Sequence, residues 1–368
     1  MYKIPLSRPS ITTAEAQAAY DTVISYQLAQ GAKVEEFEQR ISEYVGTKYA
    51  IAVSSGTDGL MMSLKACGIG QGDEVITTPY TFIATLFAIE QAGAKPVLVD
   101  IDRETYNIDV KNKPAFIDPK ITKAIIPVDV FGSPVDTNYW LYGADKDREG
   151  EYRYYPRIII DSCESLGSHI DRPFDACVYA FYPNKQITTG EGGMICTNNK
   201  DIADYCRAYR NQGRAPMDKW LQHSQKGGNY RMTDIQAAIG IEQMKRIDEI
   251  KQKRQLVALT YHEMLADLYI SNTINWQEFT SPDINPFAFV IEVPNRDKVM
   301  QYLLDRGIEC RAYFPCVHLQ KSMKHLGYKI GDFPIAEEVS SKTLALPFFT
   351  DMTETEIEYV CEILKEVL

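Results

Sequence analysis

Through the first two-thirds of this sequence, short and almost unbroken apolar runs recur between segments of helical or loop character. Tyr49-Ala50-Ile51-Ala52-Val53, Glu74-Val75-Ile76-Thr77, Pro96-Val97-Leu98-Val99, Ala124-Ile125-Ile126-Pro127-Val128 and Arg157-Ile158-Ile159-Ile160-Asp161 are such runs. A strand with one wet face alternates apolar and polar residues. A run that is apolar at nearly every position suits a strand covered on both faces, the environment of a mainly parallel sheet. β and α segments in alternation predict a layered α/β fold.

Helix signals flank these runs. Thr12-Thr13-Ala14-Glu15 offers a capping box for a helix running toward Ser25. From Thr233 to about Lys253 a single long helical pattern carries Ile235, Ala238, Ile241, Met244, Ile247 and Ile250. A last amphipathic helix starts at Thr353, with Ile357, Val360 and Ile363 on one face. Gly68, Gly70 and Gly72 follow a helix and precede a strand, which is a turn and not a dinucleotide-binding loop. The charged stretch Asp145 to Glu151 reads as a solvated loop tip.

At 368 residues the chain exceeds a small single core, and two unequal domains are expected. The boundary is placed after the long helix: an arm over 1–12, a large domain over 13–245 and a small one over 246–368. A formal charge of −11 without any basic run excludes a nucleic-acid partner. The absence of a signal-peptide core or a membrane-length apolar stretch points to the cytoplasm. There the eight cysteines, which form no C-x-x-C pair, read as reduced thiols. The five histidines have no zinc spacing, so no metal is expected.

Three segments could do chemistry. Lys185 follows an apolar run and precedes a glycine turn, in Phe181-Tyr182-Pro183-Asn184-Lys185-Gln186-Ile187-Thr188-Thr189-Gly190-Glu191-Gly192-Gly193. A lysine partly desolvated at strand ends can serve as a Schiff-base amine, although a surface lysine beside a turn is the commoner reading of such a residue alone. Asp161 ends a very apolar strand, where an unpaired carboxylate is costly. It suits either a helix cap, an ion pair or the partner of a pyridinium nitrogen. Ser54-Ser55-Gly56-Thr57-Asp58 joins a strand to a helix and reads equally as a capped helix start or a phosphate cradle. In this order, the three have the logic of a pyridoxal 5'-phosphate (PLP) site.

These residues resemble the DegT/StrS family of sugar aminotransferases, and the similarity extends over nearly the whole chain. It includes Gly31-Ala32-Lys33-Val34-Glu35-Glu36-Phe37-Glu38, Ser55-Gly56-Thr57-Asp58, Pro79-Tyr80-Thr81-Phe82, Asp161-Ser162-Cys163-Glu164, the Lys185 segment, Gly228-Asn229-Tyr230-Arg231 and Val317-His318-Leu319-Gln320. The resemblance implies the type I PLP-transferase fold, with a large seven-stranded, mostly parallel sheet and a smaller C-terminal α/β domain. It implies Lys185 as the Schiff-base lysine and Asp161 as the pyridinium partner. Gly56, Thr57, Phe82, Glu164 and Asn229 are implied as further cofactor contacts, and Arg231 and His318 as substrate contacts. The implied reaction moves an amino group from glutamate to a nucleotide-linked keto sugar, here a 4-ketone, toward an amino sugar of a polysaccharide, glycan or secondary metabolite. Implied too is a homodimer with shared active sites, in which Asn229 and Arg231 reach the neighbouring subunit's site.

Two positions depart from the family's habit: Ala180 stands where a phosphate-binding serine is frequent, and Gly228 replaces a frequent tyrosine. A sugar 3-dehydratase of the same fold would carry histidine in place of Lys185. A regulatory protein that had lost catalysis would not need Lys185 and Asp161, and an oxidoreductase would need the dinucleotide loop.

Overall fold

The computed structural model describes residues 3–109, 118, 120–138, 156–169, 171–215 and 217–368; the loop tip expected over 145–151 lies outside them. The chain begins with helices α1 (Thr13–Ile24) and α2 (Ala32–Val45), then alternates β1 (Tyr49–Val53), α3 (Gly56–Ala66), β2 (Glu74–Thr77), α4 (Ala84–Ala92), β3 (Lys95–Leu98), β4 (Thr122–Ile125), β5 (Arg157–Asp161), β6 (Ala176–Ala180) and β7 (Gly193–Thr197). These strands form one seven-stranded sheet in the order β1-β7-β6-β5-β4-β2-β3. Only β7 runs against its neighbours, being antiparallel to both β1 and β6. The mostly parallel α/β sheet is the one implied by the apolar runs and the resemblance.

Apolar side chains cover both faces of that sheet. Val34, Phe37 and Ile41 of α2 pack on one face with Ile241 and Ile250, while Leu60, Leu64 and Ile89 pack on the other. The strand run expected at 124–128 is paired from Thr122 to Ile125; beyond it Pro127 has no amide to donate, and Val128 keeps only an isolated bridge to Asp161.

Downstream lie α5 (Lys200–Arg210), α6 (Asp234–Met244), α7 (Ile247–Met264), α8 (Ala266–Ile270), β8 (Asn275–Trp276), β9 (Phe289–Glu292), α9 (Arg296–Asp305), α10 (Pro334–Lys342), β10 (Thr343–Leu346) and α11 (Glu354–Val367). The helix expected as one piece from Thr233 is two, broken at Lys245 and Arg246. Arg246 leaves helical geometry at φ −115°, ψ 10°, and its guanidinium turns to Glu15 at 2.7 Å and to the Ser10 carbonyl at 2.9 Å. The apolar period survives the break, because Ile241, Met244, Ile247 and Ile250 all enter the same core.

Strands β10, β9 and β8 make a second, antiparallel sheet with its own core against α7, α9 and α11. A further apolar cluster joins the two sheets, bringing Tyr80, Tyr106 and Phe131 against Phe287, Val290 and Phe314. The capping boxes at Thr12 and Thr353 are both formed, and Gly68 and Gly72 turn the chain at positive φ between α3 and β2. Among the described residues no helix is long and apolar enough to cross a membrane.

Candidate active site

Strands β1, β5 and β6 run in one direction, so their C-terminal ends share an edge of the sheet. That topology brings together the three segments singled out by their chemistry. The Ser54–Thr57 turn leaves β1, Asp161 ends β5, and the Lys185 loop leaves β6. Open α/β sheets bind ligands at this edge.

At the first segment Ser55 caps α3, its hydroxyl accepting from the Asp58 amide at 3.1 Å. The amides of Gly56 and Thr57 head the helix, where the backbone dipole favours an anion. Gly56 is required by crowding: a Cβ there would stand 2.8 Å from Cys163 Sγ and 2.9 Å from the Ala180 Cβ. The departure at Ala180 thus lies directly against the helix start.

Asp161 is 6% exposed. Thr85 Oγ1 donates to its Oδ2 at 2.8 Å, and the Cys163 amide donates to its Oδ1 at 3.2 Å. Burial raises its pKa above the usual carboxylate value, against the lowering from these donors and from the Lys185 charge. Three residues on, Glu164 is also raised by burial, against the pull of Lys185 and a bond from the Phe131 amide. That bond is 3.0 Å to Oε2, and Lys185 Nζ lies 3.4 Å from Oε1. The Lys185 ammonium also sits 4.2 Å from the centroid of the Phe287 ring. Glu164, implied as a cofactor contact, therefore holds the lysine in this structure.

Phe82 stands just before α4, a residue 63% exposed, and its carbonyl accepts from the Thr85 amide at 3.2 Å. Asn229 and Arg231 lie further off. The Asn229 backbone bridges Asn211, and Arg231 Nη1 donates to Asn211 Oδ1 at 3.0 Å. Neither side chain bonds Lys185, Asp161 or Glu164 within the chain, although the Tyr230 carbonyl accepts from the Ser54 amide at 3.0 Å. At Gly228 a Cβ would stand 2.4 Å from the Tyr230 ring, so a side chain there would require that ring to shift. His318 is buried in a one-turn helix, with Nε2 3.1 Å from Glu337 Oε1 and Nδ1 without a partner among the described residues. It makes no bond to the Lys185 cluster.

Sequence reasoning missed Thr85, Phe131 and Phe287. Thr85 alone left a signal, a polar residue on the buried face of α4 beside Leu86 and Ile89. The set fits PLP: an amine beside a buried carboxyl that has two donors, and a helix start bare of side chain at Gly56.

The model of the DegT/DnrJ/EryC1/StrS aminotransferase family matches residues 9–365. GDP-perosamine synthase of Caulobacter vibrioides is 37% identical, over 92% of this chain and 91% of its own. Among solved structures, DesV of S. venezuelae has a TM-score of 0.89 at 27% identity, covering 100% of this chain and 99% of that one. The PMP form of Spr1654 from Streptococcus pneumoniae has a TM-score of 0.91 at 26% identity, covering 100% and 98%.

Proposed function

Because this chain belongs to the DegT/DnrJ/EryC1/StrS aminotransferase family, we propose that it moves an amino group from glutamate to a nucleotide-linked keto sugar. The chain is a PLP-dependent sugar aminotransferase; the donor, the nucleotide-linked ketone and the residue roles are the proposal. It rests above all on the Lys185 amine, 3.4 Å from Glu164 and at the same sheet edge as the buried Asp161. The relative named GDP-perosamine synthase supports a nucleotide-linked substrate, and a 4-ketone is the position we favour.

PLP, when bound, supplies the electron sink for the carbon that gains or loses its amino group. Lys185 anchors the cofactor and, once released, carries the proton to and from that carbon as general base and acid. Glu164 keeps the amine in place between steps. Asp161 holds a proton at the pyridine nitrogen, and its depth in the sheet keeps water from competing for it. The Gly56 and Thr57 amides take the phosphate, and Phe82 lies against the ring. In a homodimer, Asn229 of a second copy adds a phosphate donor and Arg231 of that copy meets a substrate carboxylate. His318 serves the substrate side.

The test is a panel of 4-keto and 3-keto sugars on UDP, dTDP and GDP, incubated with glutamate and read by mass spectrometry. Amination of a nucleotide-linked 4-ketone supports the reading; amination of free keto acids with none of the panel touched would refute it. Borohydride reduction of the PLP-loaded protein should fix the cofactor on Lys185, and a label on another lysine overturns that residue's role.

A further inference from the structure

Arg254, on α7, is 3% exposed and has no carboxylate partner among the described residues. Its guanidinium is held by neutral acceptors alone. Nε donates to the Pro286 carbonyl at 2.8 Å, Nη2 to the Phe287 carbonyl at 2.7 Å and Nη1 to Thr350 Oγ1 at 3.4 Å, with the Phe348 ring 4.8 Å away. Burial brings its pKa down to about 9, so it is still a cation at neutral pH. A buried charge without a counter-charge is strongly unfavourable. A neutral side chain of similar length would fill the space at less expense.

The carbonyls it grips belong to the segment that passes beneath the active site. Phe287 is fixed from both sides, its carbonyl by Arg254 and its amide by the Phe131 carbonyl at 3.0 Å. The same face of α7 secures the rest of the segment, Gln255 Nε2 donating to the Ile284 carbonyl at 2.7 Å and Lys251 pairing with Asp283 at 2.5 Å. Gln186, next to the lysine, donates to the Asn285 carbonyl at 3.0 Å. Among the described residues, this segment meets Lys185 through the Phe287 ring.

We propose that Arg254 is a positioning residue for Lys185, acting through Phe287: by fixing that backbone it holds the ring face under the ammonium. The negative face of the ring attracts the cation, so the pair holds the Lys185 amine in place and slows its attack on a reagent. The proposal rests on Lys185 being the cofactor lysine, and its test reads the amine directly. Lys185 is also faced by Glu164, Asp161 and the Cys163 thiol, none of which the variants below alter.

The experiment uses the full-length chain stripped of cofactor and acylated at one fixed, mildly alkaline pH. Peptide mapping gives the labelling rate of Lys185 relative to the exposed Lys321. Phe287→Leu should label about 2- to 30-fold faster, the range of a cation–π contact, whereas Phe287→Tyr, which keeps the ring face, should stay at the wild-type rate. Arg254→Met should label faster by a similar factor, and the double variant Arg254→Met/Phe287→Leu no faster than either alone. If Arg254→Met does not fold, Arg254→Gln and Arg254→Lys take its place, since neither can grip both carbonyls as the guanidinium fork does. A folded Arg254 variant that labels at the wild-type rate, or additive effects in the double variant, would overturn the proposal. A borohydride label on a different lysine would instead remove the cofactor role and leave the labelling result standing.

Discussion

Thr85 Oγ1 donates a 2.8 Å hydrogen bond to Asp161 Oδ2, tying the first turn of α4 to the end of β5. The hydroxyl helps keep the carboxyl ionised in a place where burial works against ionisation.

Thr85→Val keeps the shape and deletes the donor. A hydrogen bond to a charged group contributes about 1.5–3 kcal/mol, so kcat should fall roughly 10- to 100-fold, with Thr85→Ser restoring most of it. Turnover assays alongside the visible absorbance of bound PLP would check this. Wild-type kcat in Thr85→Val would show that the bond has no part in the reaction.

Asp161 also predicts a trade of stability for activity. Its folded pKa lies above the ordinary 3.8, so the fold disfavours the ionised form. The stability of the cofactor-free chain therefore falls as pH rises from about 3.8 to the folded value, and stays lowered above it. Asp161→Asn removes that penalty, and the Thr85 hydroxyl can turn to accept from the new amide. Melting curves should show the cofactor-free variant more stable than wild type at neutral pH, by about 1–3 kcal/mol. The gap should close as pH drops below the ordinary carboxylate range, and a less stable variant at neutral pH contradicts the argument.

Glu15 has the opposite sign. Burial pushes its pKa up, but bonds from Thr12, Arg246 and Gln243 outweigh burial and hold it at about 2. Its contribution is complete above the unfolded value of 4.5 and is lost as pH falls through about 2. Glu15→Gln should cost about 3 kcal/mol at neutral pH, and the loss should shrink steadily below pH 4.5. Equal destabilisation at every pH would assign the effect to packing.

Shared active sites can be read from mixed dimers. Lys185→Ala and Arg231→Ala should each be nearly inactive. In a hybrid, one site carries both lesions and the other neither. Random mixing makes half the dimers hybrids, so about a quarter of wild-type activity should return. No recovery despite proven subunit exchange would leave Arg231 a local residue, beside Asn211 as in the single chain.

The strand ends that carry Gly56, Asp161 and Lys185 were legible because each joins an apolar run to a chemically distinctive residue. Their convergence follows from the parallel direction of β1, β5 and β6. Thr85 and Phe287 were not legible: they reach Asp161 and Lys185 from 76 and 102 residues away along the chain, and apolar pattern carries no information about such distant contacts. Periodicity also failed to show the break at Arg246, because the apolar stripe continues across it and the cause is a contact with Glu15.

Helix α2 has no cap of its own. Gly31 stands at its start, and the Asp234 carboxylate takes the amides of Gly31 at 2.8 Å, Val34 at 3.1 Å and Lys33 at 3.3 Å. β1, which follows, pairs only with β7. On a ribosome, the first fifty residues therefore emerge long before the groups that complete them. During synthesis β1 waits for β7, which ends at Thr197, and the amides at the start of α2 wait longer still, for the Asp234 carboxylate. The segment is made early, yet it is completed only after all seven strands of the large sheet exist.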